Sequence, residues 1–85
     1  MTRLKELRIE KGLSQINVGI KIGIDQSEYS RIEKGRRNFT ADQGVRLALL
    51  FDTSIDYLMG LTDNRKPYER SEKYKNVGEF DIRDV

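Results

Sequence analysis

The chain has 85 residues, 16 of them basic and 14 acidic, with a net charge of +2 and no cysteine or histidine. That length bounds it to one domain with a modest core. The missing residue types exclude disulfide frameworks, cysteine or histidine zinc sites, and catalysis by either side chain. In chain order, Leu4 and Leu7 stand three apart on the inner side of a first helix, which Gly12 ends. Ser14 is an N-cap for a second helix, with Val18 and Ile22 inward and a stop near Gly23. Asp25 caps a third, and Glu28 three residues on suits a capping box. Tyr29 and Ile32 face inward from it, and Gly35 stops it. Thr40 caps a fourth helix with Val45, Ala48 and Phe51 on its buried side. Ser54 caps a short fifth carrying Ile55, Leu58 and Met59, which ends at Gly60.

The rest of the chain is different in kind. Residues 62–76 are polar, hold the single proline Pro67, and read as a linker or loose arm. Glu79-Phe80-Asp81-Ile82-Arg83 alternates polar and apolar with the period of a strand. The expected organisation is an all-α domain over residues 1–61 and a linker and tail over 62–85, serving dimerisation or cover. No apolar run approaches the roughly 20 residues that cross a bilayer. The opening six residues lack the apolar core of a signal peptide. A soluble, cytoplasmic protein without membrane contact is expected.

The second and third helices, joined by Gly23-Ile24-Asp25, have the dimensions of a helix-turn-helix. Gly19 supplies a small residue where the helices cross, Gly23 tolerates a left-handed turn, and Ile24 plugs the turn from below. With Tyr29 and Ile32 turned inward, the outer face offers Gln26, Ser27, Glu28 and Arg31, which suit hydrogen bonds to base edges. Arg31, Lys34, Arg36 and Arg37 then crowd seven residues with only Glu33 opposing them. Such a cluster fits a phosphate-binding edge and equally an ordinary solvated face.

Leu13-Ser14-Gln15, Gly23-Ile24 and Tyr29-Ser30-Arg31-Ile32-Glu33-Lys34-Gly35, in this order and spacing, resemble the lambda repressor and Cro-like (XRE-type) helix-turn-helix family. Arg3-Leu4-Lys5-Glu6-Leu7-Arg8 is similar to that family's first helix, and Ser54-Ile55-Asp56-Tyr57-Leu58-Met59-Gly60 to its fifth. The resemblance spans about residues 2–62. It implies a five-helix lambda-repressor-like fold and a transcriptional regulator, a repressor by expectation, without cofactor or metal. It also implies a homodimer that reads double-stranded DNA at a palindromic operator.

Roles follow by position. Gln15 matches a glutamine that contacts a phosphate and braces a second glutamine, here Gln26, which reads adenine in several members. A carboxamide does pair bidentately with adenine N6 and N7. Ser27 suits either kind of base edge. Glu28 either accepts from cytosine N4 or caps its own helix, and Arg31 either reads guanine or clamps a phosphate. Lys34, Arg36, Arg37 and Asn38 match the loop that grips the backbone, and Arg8 with Glu33 matches a structural ion pair.

Departures from the family pattern are informative. Phe39 stands for a usual proline, Asp52 for a glycine, and Gly44 for a core leucine, leaving room for Phe39 or a tail residue. Ile16, Ile20 and Leu49 are apolar where polar residues are usual, and the first two form a stripe one helical turn apart. That stripe suits cover by Phe80, Ile82 and Val85 of the tail, a protein partner, or no function at all. The dimer contact is expected around Ile55, Leu58 and Met59, with Leu58 also a core candidate. The alternative to a DNA-reading regulator is a protein-interaction module such as an antitoxin. An enzyme is not expected, because no segment brings reactive groups beside a phosphate loop or metal-spaced cluster.

Overall fold

Five helices and one short 3₁₀ turn follow one another in the computed structural model, which describes residues 3–75: α1 (Leu4–Glu10), α2 (Gln15–Ile22), α3 (Gln26–Glu33), α4 (Ala41–Leu50), α5 (Ile55–Leu58) and the turn Glu72–Tyr74. There is no strand among the described residues. The strand signal at 79–83, with Phe80, Ile82 and Val85, lies outside them.

Short polar side chains start four of the helices. Ser14 Oγ accepts the Asn17 N–H at 3.0 Å, while Asn17 Oδ1 accepts the Ser14 N–H at 3.3 Å. Thr40 and Gln43 exchange the same pair of bonds at the head of α4. Ser54 Oγ caps α5 by accepting from the Tyr57 N–H. Each such cap contributes typically about 1 kcal/mol. Asp25 Oδ1 accepts the Glu28 N–H at 2.8 Å, but the return bond expected from Glu28 is not made. The Glu28 carboxylate turns instead to the Arg37 guanidinium.

The core is one cluster of eleven buried residues built from every helix. Leu4 and Leu7 enter from α1, Val18 and Ile22 from α2, Tyr29 and Ile32 from α3, and Leu58 from α5. From α4 and the residue after it come Leu47, Ala48, Leu50 and Phe51. Fully burying each of the larger aliphatic side chains contributes about 1.5–3 kcal/mol. Val45, expected on the buried side, is only half-buried. The inward stripe of α4 runs through Gly44, Leu47, Ala48 and Phe51, and Val45 lies on its flank.

Gly44 lets Phe39 pack closely against this stripe. A Cβ on residue 44 would lie 2.8 Å from Phe39 Cε1 and 3.3 Å from Ile55 Cδ1. The ring of Phe39 takes the room. Asp52 adopts the left-handed conformation (φ 51°) where the chain leaves α4.

Residues 62–70 are irregular but not loose. Arg3 donates to Thr62 O at 2.7 Å, pairs with Asp63 at 2.6 Å, and lies 4.1 Å over the Tyr57 ring. Thr53 Oγ1 donates to Arg65 O, Tyr68 OH to Asp56, and Arg70 to Thr53 O. These bonds involve backbone carbonyls and charged heads, so they leave no apolar pattern from which the docking of this arm is legible.

Candidate nucleic-acid interface

The crossing of α2 and α3 sets the interface. A Cβ on Gly19 would stand 2.7 Å from the carbonyl oxygen of Ile24, so only glycine permits this approach. Gly23 takes the left-handed turn at φ 82°, and its N–H and that of Ile24 both donate to Gly19 O. Ile24 then packs under the turn against the core.

With Tyr29 and Ile32 fully buried, the 3.6-residue period turns Gln26, Ser27 and Arg31 outward, and all three are exposed. Lys34, Arg36 and Asn38 are exposed in the loop beyond α3. Glu28 and Arg37 are half-buried and paired with each other.

Beneath this face lies a polar network centred on Glu33, whose side chain is 4% exposed. Arg8 Nε donates to Glu33 Oε1 at 2.7 Å and Arg8 Nη2 to Oε2 at 3.2 Å, a bidentate pair. Tyr29 OH donates to Oε1 at 3.1 Å and Gln15 Nε2 to Oε2 at 2.7 Å. Burial pushes the Glu33 carboxyl up, but the bonds from Arg8, Gln15 and Tyr29 outweigh it and hold the group below the usual carboxylate range. Burial, and then the neighbouring Glu33 charge, push the Tyr29 phenol well above its usual range, so it stays a donor. The hydrogen bond to Glu33 likewise raises Arg8.

The network has a direction. An ionised carboxylate only accepts, so Gln15 must turn its NH₂ inward to Glu33. Its Oε1 is left facing outward, where it accepts from Gln26 Nε2 at 3.5 Å, the limit of a hydrogen bond. That bond takes one N–H of Gln26 and leaves its carboxamide a second N–H and its Oε1, the two kinds of group a bidentate adenine contact needs.

Several of these relations are not evident in the sequence. Tyr29 and Glu33 stand one helical turn apart, a spacing that signals contact. The links from Gln15 to Glu33 and from Glu28 to Arg37 cross 18 and 9 residues and have no such local signal. Of the apolar candidates on α5, Leu58 is fully buried in the core and unavailable to a partner, whereas Met59 is 55% exposed. A groove of about 390 Å³, lined by Ile32, Asn38, Phe39, Ala41, Ile55 and Met59 among others, opens beside the loop after α3. Ile16 and Ile20 are 53% and 55% exposed, and Leu49 is half-buried.

Among the described residues no group of three or more acidic side chains is placed to hold a metal ion. No helix there is long and apolar enough to cross a membrane.

Known proteins resemble this chain in sequence. A family model described as helix-turn-helix matches residues 4–58, from the start of α1 to the end of α5. The uncharacterized HTH-type transcriptional regulator YobD of Bacillus subtilis (strain 168) is 40% identical over 79 residues, covering 92% of this chain and 67% of that protein. The HTH-type transcriptional regulator ImmR of the same organism is 31% identical over 77 residues, covering 91% of this chain and 61% of that protein. The uncharacterized HTH-type transcriptional regulator YqaE, also from Bacillus subtilis (strain 168), is 31% identical over 70 residues, or 82% of this chain and 60% of its own. The chain thus spans about three-fifths to two-thirds of the length of these relatives. No solved structure gives a significant match.

Proposed function

The chain belongs to the helix-turn-helix family, and from that premise we propose that it is a sequence-specific, double-stranded-DNA-binding transcriptional regulator, a repressor that acts as a homodimer on a palindromic operator. The observation that carries this reading is the outer face of α3. Gln26, Ser27 and Arg31 project from a helix whose opposite side is locked into the core, and exposed Lys34 and Arg36 follow at its end. Gln26 reads an adenine, and Ser27 and Arg31 reach neighbouring base edges. Lys34, Arg36, Asn38 and the second N–H on Gln15 Nε2 take phosphates, which set register and affinity without reading sequence.

One such helix reads only a few base pairs, and a second copy supplies the rest. Its seat is the groove between Phe39, Ile55 and Met59, beside the loop that ends α3. A partner there brings two α3 helices to one side of a duplex, with half-sites about one helical turn (~10 base pairs) apart. The relatives that carry regulator names support the same reading.

Selection from a random pool of double-stranded DNA with purified protein tests it. Enrichment of an inverted repeat is expected, and Met59→Glu should convert dimer to monomer in light scattering. A folded protein that enriches no sequence overturns the reading. The exposed Ile16 and Ile20 stripe favours a second reading, a protein-partner module of the antitoxin kind. Under it, Ile16→Glu abolishes capture of the partner and leaves DNA binding intact.

A further inference from the structure

Glu28 stands on the first turn of α3 between the exposed Ser27 and the buried Tyr29. Its backbone N–H is satisfied by Asp25 Oδ1, so the helix start does not need its side chain. The carboxylate leaves the reading face and pairs with Arg37, across the loop between α3 and α4. Both side chains are largely covered, at 27% and 34% exposure. Of the four cations in the run from 31 to 37, Arg37 alone is taken up in this way. Arg31, Lys34 and Arg36 form no ion pair among the described residues and stay exposed.

A chain that gathers four cations against a polyanion therefore withholds one of them. From this geometry we infer that Glu28 is a positioning residue that masks Arg37 and so sets how many phosphates the protein engages, and that it reads no base. The inference rests on the DNA-binding reading above. Its physical content is a count. Each phosphate neutralised by a side chain releases counterions, and the logarithm of affinity falls with the logarithm of salt in proportion to that number. A masked Arg37 contributes nothing to the count. Sequence-independent binding is held down, and base contacts from Gln26, Ser27 and Arg31 carry a larger share of the total.

The test is fluorescence anisotropy with a labelled duplex of scrambled sequence, titrated at rising KCl with wild type, Glu28→Gln, Arg37→Gln and the double variant, each checked by circular dichroism. Glu28→Gln should bind the scrambled duplex several-fold more tightly at low salt, with a salt slope steeper by about one phosphate's worth. The double variant should return to the wild-type slope, and Arg37→Gln alone should leave that slope unchanged. An unchanged slope in Glu28→Gln overturns the inference. A steepening that persists in the double variant also overturns it, because the carboxylate then acts by repelling phosphate directly. A flatter slope in Arg37→Gln shows that Arg37 already holds a phosphate and overturns it as well. An effect of Glu28→Gln confined to one base pair of a selected operator makes Glu28 a base reader and defeats the inference too. Wild type that binds no duplex at all fails the DNA-binding reading itself, and the inference falls with it.

Discussion

The ring of Phe39 fills the space that a side chain on residue 44 would occupy, with Cε1 and Cδ1 at 2.8 and 2.9 Å from where a Cβ would stand. The two residues are one packing unit. Gly44→Ala gains about 1 kcal/mol of helix propensity but overpacks the core, at a cost of about 1–3 kcal/mol. Gly44→Ala should therefore lower the melting temperature of the wild type. In a Phe39→Ala background the same change should raise it, because the obstruction is gone. Equal effects in both backgrounds would disprove the coupling.

Glu33 supports the fold through charge. Removing its Arg8 partner leaves a buried carboxylate uncompensated, so Arg8→Met should destabilise by about 3–5 kcal/mol in urea unfolding. The pH dependence follows from the lowered Glu33 pKa. The unfolded chain binds the proton more tightly than the folded one. The contribution is therefore complete above the ordinary glutamate range and is lost as acid takes the pH down through the folded value. Glu33→Gln should flatten that acid limb of the stability profile. An unchanged limb would assign it to other carboxylates.

Gln15 is expected to orient Gln26 on DNA. Gln26→Ala should cost about 1–3 kcal/mol of discrimination at one base pair of a selected operator, with thermal stability unchanged. Gln15→Glu removes the donor to Glu33 and sets two carboxylates together. It should reproduce the loss at that same base pair and also lower stability, as read by anisotropy and melting. A Gln15→Glu effect spread evenly over scrambled and selected duplexes would point to a phosphate contact alone.

Gly19 is a steric requirement. In Gly19→Ala the new Cβ meets a backbone oxygen at 2.7 Å, and backbone yields less readily than a side chain. A loss of about 1–3 kcal/mol is expected. Operator binding should fall further than the unfolded fraction accounts for, because α3 must shift relative to α2. Full affinity in a destabilised variant would show that the crossing angle tolerates change.

The helices were legible because their signals are local. Ser14, Thr40 and Ser54 bond to backbone three residues away, and Leu4, Leu7, Val18, Ile22, Tyr29 and Ile32 keep helical spacing. The exposure of Gln26, Ser27 and Arg31 follows from the same period. The rest depends on relations through space. Glu28 reads as a cap or a base reader until the loop path brings Arg37 within reach. Val45 reads as core until Gly44, with Phe39 packed on it, is found on the buried side of α4 instead. Residues 62–70 read as a loose arm because polar attachments leave no period in a sequence.

The clasp between Arg3 and Asp63 joins residues 60 apart in the chain, and this sets an order of events during synthesis. At about 5–20 residues per second, the ribosome needs on the order of several seconds to make the anchor after it has made Arg3. For that interval Arg3 has no carboxylate at position 63 to pair with. Helix α1 can be held sooner by Glu33, which is made only 25 residues after its partner Arg8, so the Asp63 clasp closes on a helix that already has one tether.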